Sequence, residues 1–159
     1  MTLAELEKTL PSGFHDSALK SLSIDYERRT IRLELSLCVG DPLGSCEQRD
    51  DVRDALIDIS GVVFFGIDPP SPAVDYDFDS PGEICIVSSR ETGSIPGPTK
   101  TIDQKLLDRI PADAFAHSLF VINWNSYIHI AARDCTIKWL GATEHYEGPR
   151  QHFYPGEAI

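Results

Sequence analysis

Ser21-Leu22-Ser23-Ile24-Asp25-Tyr26, then Glu27-Arg28-Arg29-Thr30, then Ile31-Arg32-Leu33-Glu34-Leu35-Ser36-Leu37-Cys38 is the stretch whose pattern decides the fold. Leu22, Ile24 and Tyr26 alternate with Ser21, Ser23 and Asp25. The alternation resumes with Ile31, Leu33, Leu35 and Leu37 set against Arg32, Glu34, Ser36 and Cys38. Side chains on a strand point alternately to its two faces, so each run reads as a strand with one apolar face and one wet face. Two such runs joined by a short polar link predict an antiparallel hairpin in a sheet covered on one side. The link contains neither Asn-Gly nor Asp-Gly, and a loop built on a type I turn is expected in place of a tight primed turn.

Upstream, Leu3, Leu6 and Leu10 recur at helical spacing behind Thr2, predicting a short helix over Leu3–Leu10 with Thr2 as its N-cap, ended by Pro11-Ser12-Gly13. Downstream, Ala55 to Ile67 reads as a strand. Its first half alternates, with Ala55, Ile57 and Ile59 facing inward, and its second half is apolar on both sides. Gly61 at the change predicts a bulge or bend. Pro69-Pro70-Ser71-Pro72 interrupts regular structure, and Ile84-Cys85-Ile86-Val87 predicts a short strand. Thr101 to Ile110 carries Ile102, Leu106, Leu107 and Ile110 on one stripe and predicts a helix. Leu119 to Ala132 is strand-rich with an interruption near Trp124-Asn125-Ser126. Arg133-Asp134 then makes a tight connection to a last strand, Cys135–Trp139, and the tail after Gly141 is polar and aromatic. The expectation is an α+β, mainly antiparallel β fold. It has a curved or two-layer sheet of six to seven strands, an N-terminal helix and one covering helix, all in a single domain over 1–159.

The chain has 159 residues, 42% hydrophobic and 25% charged, values that suit a folded domain with a core of its own. Its 25 acids against 14 bases leave a formal net charge of −11. Such a surface repels phosphate backbones and anionic lipid and suits a basic protein partner, because complementary fields speed and orient encounter. No nucleic acid and no membrane partner is expected. Acids at Glu5 and Glu7 stand where a signal peptide carries positive charge, and no apolar run reaches the length of about 20 residues that spans a bilayer, so a cytoplasmic location is expected. The cysteines Cys38, Cys46, Cys85 and Cys135 include no C-x-x-C pair and read as reduced thiols in or near the core.

Candidate chemistry is sparse. His15-Asp16 invites comparison with HD metal phosphohydrolases, but no earlier histidine precedes it, so Asp16 reads first as a turn residue with His15 packed nearby. Asp75, Asp77, Asp79 and Glu83 form the densest acidic cluster. Ser80 stands where an EF-hand loop needs Gly and Ile86 where it needs Glu, so no metal site is expected there. A charged strand edge or a protein-docking patch explains these residues instead. His129 alternates with Ile128 and Ile130 and shares a strand face with Tyr127, the expected environment of a partly exposed histidine. Trp124 reads as a core residue or an interface anchor, and Asn125 as a source of turn geometry. The chain contains no G-x-S-x-G elbow, phosphate-binding loop or dinucleotide fingerprint, and no cofactor is implied.

The segment Gly13-Phe14-His15-Asp16-Ser17, followed by the hairpin through Leu37, resembles small bacterial proteins that open with a Phe-His-Asp-Ser or Phe-His-Asp-Ala turn before two alternating strands. Some of these resemble immunity proteins encoded beside polymorphic toxins. The resemblance covers about a quarter of the chain and implies a β-rich domain; it assigns no functional residue. Together with the charge it leads to a non-catalytic protein-binding module, an immunity-like inhibitor presenting Asp75, Asp77, Asp79, Glu83 and Trp124 to a basic partner. The alternatives are a small metal-dependent hydrolase using His15, Asp16 and His129, and a structural or small-ligand-binding protein.

Overall fold

Among the described residues eight strands, all paired antiparallel, form one sheet in the order β4-β7-β6-β5-β1-β2-β3-β8. They are β1 Ser17–Asp25, β2 Thr30–Cys38, β3 Asp51–Ser60, β4 Phe64–Ile67, β5 Cys85–Ser88, β6 Phe115–Val121, β7 Ser126–Ala132 and β8 Asp134–His145. The computed structural model describes residues 1–41, 43, 51–72, 84–88 and 108–145.

The expected hairpin is the centre of the sheet. Leu22 pairs with Leu33 and Ile24 with Ile31, and the same rows continue across β3 and β8. This produces the cross-sheet rows Ile24–Ile31–Ile59–Cys135, Leu22–Leu33–Ile57–Ile137 and Leu19–Leu35–Ala55–Trp139. Ile31, Leu33, Leu35, Ala55, Ile57 and Ile59 are each fully buried, and each of the leucines and isoleucines contributes about 1.5–3 kcal/mol relative to leaving it in water. Lys20 is the extra residue of a β-bulge between Leu19 and Ser21, which restores the inward phase for Leu22 and Ile24. The hairpin loop ends on Arg29 at φ 55, and Asp25 Oδ1 accepts a hydrogen bond from Arg28 N at 2.9 Å. Because β1 ends at Asp25, Tyr26 belongs to the loop and is 80% exposed, contrary to its expected inward position.

The sheet rolls back on itself, and two short connections require it to. β3 joins β4 through Gly61–Val63, and β7 joins β8 through Arg133 alone, yet each pair stands six places apart in the strand order. Six inter-strand steps in a flat sheet measure about 29 Å. The two connections span at most about 15 Å and about 8 Å between strand ends. The ends of the sheet therefore meet, at a corner where Val62 N donates to Arg29 O, Val63 N to Ala131 O and Arg133 N to Ser60 O. The bend expected at Gly61 is this corner, with φ +62. It also corrects the count of six to seven strands to eight among the described residues. The apolar run from Ala55 to Ile67 is two strands, one near each end of the sheet, and a 3₁₀ turn over Ile122–Trp124 separates β6 from β7.

One core fills the roll. It gathers the hairpin face, Leu119 and Val121 of β6, Ile128, Ile130 and Ala132 of β7, and Leu3, Leu6, Leu10 and Phe14 from the N-terminal segment. The N-terminal helix is α1, Leu3–Glu7. Thr2 Oγ1 accepts from Glu5 N at 3.1 Å and Glu5 Oε2 accepts from Thr2 N at 2.8 Å, a capping box that satisfies two backbone donors. The covering helix expected over Thr101–Ile110 falls mostly outside the described residues, and its end, Asp108–Ile110, is turn, so no second helix is supported. Cys38 and Cys135 are buried and Cys85 half-buried, while Cys46 lies outside the described residues. Among the described residues no helix is long and apolar enough to cross a membrane.

Candidate functional site

β7 is buried along its whole length on both faces. Ser126, Ile128, Ile130 and Ala132 look into the core, so Tyr127, His129 and Ala131 look the other way. On that second face, antiparallel register sets His129 opposite Ser118 of β6 and Gly66 of β4. Asp68 follows β4, with its backbone N donating to Tyr127 O at 2.9 Å, which places its carboxylate beside the same ring.

The outcome is a linear relay. His129 Nδ1 is 2.9 Å from Ser118 Oγ, and His129 Nε2 is 3.1 Å from Asp68 Oδ2. In the neutral ring the carboxylate, which can only accept, places the proton on Nε2 and leaves the Nδ1 lone pair to accept the Ser118 hydroxyl proton. His129 is 3% exposed, correcting the expectation of a partly exposed side chain, while Asp68 is 19% exposed at its side chain and Ser118 is half-buried. Tyr127 stacks on the imidazole with ring centroids 5.7 Å apart and planes 23° apart, and Phe120 packs against Tyr127 at 5.1 Å. Gly66 leaves the third side of the ring without a side chain. A Cβ at Gly66 would lie 3.1 Å from Phe64 Cζ, so the Phe64 ring leans over that position.

His15 and Asp16 form a separate pair. His15 Nδ1 is 2.8 Å from Asp16 Oδ2, with the two side chains 44% and 27% exposed. Asp16 has φ 55 and immediately precedes β1, as the turn reading requires. Their neighbour Phe14 makes an edge contact at 6.1 Å with His117, which pairs with Ile130 on the core-facing side of β6, whereas His129 is on the opposite side. Among the described residues no group of three or more His, Cys, Asp or Glu is arranged to hold a metal ion.

Trp124 packs against the main core at the 3₁₀ turn, where Trp124 O accepts from Ser71 N at 2.8 Å. Asn125 takes φ 45, as a turn residue. Asp75, Asp77, Asp79 and Glu83 lie outside the described residues. Two basic side chains on the outer sheet face are engaged, Lys20 with Asp54 at 2.6 Å and Arg32 with Asp58 at 2.7 Å, and the latter contact pushes the Arg32 pKa further up. The same holds at the corner, where Arg133 Nε is 2.7 Å from Asp113. A surface hollow of about 500 Å³ at the hairpin end contains Arg28 and Arg32 together with Asp25 and Asp58, so its arginines are balanced by carboxylates.

Sequence reasoning picked out His129 and its shared face with Tyr127 but missed Ser118 and Asp68. Neither lies in a recognisable motif, and only the register of β6 on β7 and the turn after β4 bring them to the ring.

No family model matches the chain, and no curated protein matches it. Among solved structures the chain is similar to the crystal structure of an uncharacterized protein from Neisseria gonorrhoeae, at 16% identity and a TM-score of 0.39, over 79% of this chain and 93% of that one.

Proposed function

We propose that this chain is a cytoplasmic protein-binding module for a basic protein partner, acting as an immunity-like inhibitor. The observation that carries the reading is the formal net charge of −11. A surplus of this sign accelerates encounter with a cationic surface and orients it. In this reading Asp75, Asp77, Asp79 and Glu83 are the docking carboxylates, pairing with Lys or Arg of the partner.

The test is retention of proteins from native cytosol on the immobilised full chain at low and at raised salt, followed by binding measurements on the purified pair. The screening length falls from about 10 Å at 0.1 M to about 3 Å at 1 M ionic strength, so an electrostatically steered complex forms at the first and weakens at the second. The expected partner is basic, leaves as salt rises, and binds more weakly to a chain carrying Asp75→Asn, Asp77→Asn, Asp79→Asn and Glu83→Gln. A partner of neutral or acidic charge, or an affinity unmoved by salt, overturns the reading.

A further inference from the structure

The relay on β4, β6 and β7 has the parts of a nucleophile and its base. A buried neutral histidine needs an acceptor for one nitrogen and a donor for the other, and a backbone carbonyl, an amide or a water would serve for either. Here the acceptor is a carboxylate and the donor is an alcohol. Asp68 holds the ring proton on Nε2, which leaves the Nδ1 lone pair directed at the Ser118 hydroxyl at 2.9 Å. A hydroxyl in contact with a base that a third group orients is the arrangement that activates serine. The ring nitrogens are exchanged relative to the usual serine hydrolase, in which the carboxylate holds Nδ1. Imidazole conjugation links both nitrogens, so proton uptake at either one is stabilised by a carboxylate at the other.

Two features of the surroundings point the same way. The relay is sealed at its base but not at its nucleophile: His129 is 3% exposed, while Ser118 is half-buried. Beside Ser118 on the same face of β6 stands the small, exposed Ala116, whereas His129 and Ala131 across from them on β7 are buried. Phe64 leans over Gly66 on one side, and Phe120 with Tyr127 stands on the other. The exposed methyl of Ala116 next to the hydroxyl is the small apolar surface that suits the acyl group of an ester.

We propose that Ser118 is an activated nucleophile that accepts the acyl group of small esters with an apolar acyl chain, with His129 as its base and Asp68 as the positioning residue. Ser118 Oγ forms a bond to the ester carbonyl carbon while its proton passes to His129 Nδ1. The bond to the alkoxy leaving group breaks as Nδ1 returns that proton to the departing oxygen. Water then repeats the sequence on the acyl-serine, releasing the carboxylic acid and restoring Ser118 and the neutral ring. This activity concerns a different set of residues from the docking carboxylates, and the two stand or fall separately.

The deciding experiment is reaction of the full native chain with an alkyl fluorophosphonate, in which Ser118 Oγ bonds to phosphorus and fluoride leaves. Adducts are located by peptide mass spectrometry. The expected result is an adduct on Ser118 that is lost in denaturing urea, and a labelling rate lowered about a hundredfold or more in His129→Gln. Labelling retained better by Asp68→Glu than by Asp68→Ala separates positioning from mere fold support. Turnover of p-nitrophenyl butyrate by the native chain, lost in Ser118→Ala, keeps the test decisive if His129→Gln does not fold. No adduct on native Ser118, or labelling undiminished in urea, overturns the proposal.

Discussion

Replacing Gly61 by alanine tests the corner on which the closure of the sheet depends. Gly61 has φ +62, and a Cβ there would lie 3.0 Å from Arg133 Cβ and 3.2 Å from Arg133 Cγ and Cδ. Gly141 has nearly the same backbone, φ +65, but a Cβ there meets nothing within 4 Å. The two glycines therefore share the conformational part of the cost and differ in the contact. Left-handed backbone costs an L-residue about 1–2 kcal/mol, and the stiffer unfolded chain returns about 0.4–1 kcal/mol. Gly141→Ala is thus expected to destabilise by about 0–1.6 kcal/mol. At Gly61 the obstructing atoms include Arg133 Cβ, which cannot move without its backbone, and overpacking of this kind adds about 1–3 kcal/mol. Gly61→Ala is then expected to cost about 1–4.6 kcal/mol, that is about 1–3 kcal/mol more than Gly141→Ala. Equilibrium urea unfolding followed by tryptophan fluorescence suits the measurement, because Trp124 and Trp139 pack on the core from distant parts of the sheet. Arg133→Gly in the Gly61→Ala background should recover the contact part, with Arg133→Gly alone as the reference for its lost pairing to Asp113. Equal losses in Gly61→Ala and Gly141→Ala, or no recovery by Arg133→Gly, would refute the reasoning.

Three further outcomes are expected. Leu33→Ala, at a fully buried position in the middle of a four-strand row, should lose about 3–5 kcal/mol by the same unfolding assay, while Leu56→Ala on the outer face of β3 should change stability by about 1 kcal/mol or less. Burial pushes the Cys135 thiol up to about 11, whereas an unfolded cysteine titrates near 8.5, so iodoacetamide at about pH 8.5 should find about a hundredfold less thiolate at Cys135 in the native chain than in urea. The same shift makes Cys135 a source of stability that falls away as pH rises above the unfolded thiol value, because the unfolded chain loses that proton first. The hydrogen bond from Arg133 holds the Asp113 carboxyl below its usual range, so the pair's contribution is present above the unfolded carboxyl value and is lost as pH falls through the lower native one. Stability of Asp113→Asn measured from neutral to acid pH should show a shallower acid loss than the parent, and an identical slope would remove that pair from the account.

Strict alternation in Leu22 to Leu37 was enough to place β1 and β2, their inward faces and the polar loop between them, because a period of two admits one assignment of sides once one face must be buried. The leucine spacing behind Thr2 likewise determined the short capped helix, and a positive-φ glycine at Gly61 was legible as a bend. The sequence could not say that this bend carries the chain from one end of the sheet to the other, since a run that is apolar on both sides looks the same in one buried strand as in two. Tyr26 was misplaced for a related reason: alternation does not mark where pairing stops. The candidate site shows the division most plainly. His129 and its face were visible from its neighbours, but Ser118 is 11 residues away and Asp68 is 61 residues away along the chain, in segments with no motif. Their meeting depends on cross-strand register and on the turn after β4, which are set by the packing of the whole rolled sheet. Local sequence determined the central hairpin, its faces and the surplus negative charge; long-range pairing decided the number of strands and that a serine, a histidine and an aspartate share one line of hydrogen bonds.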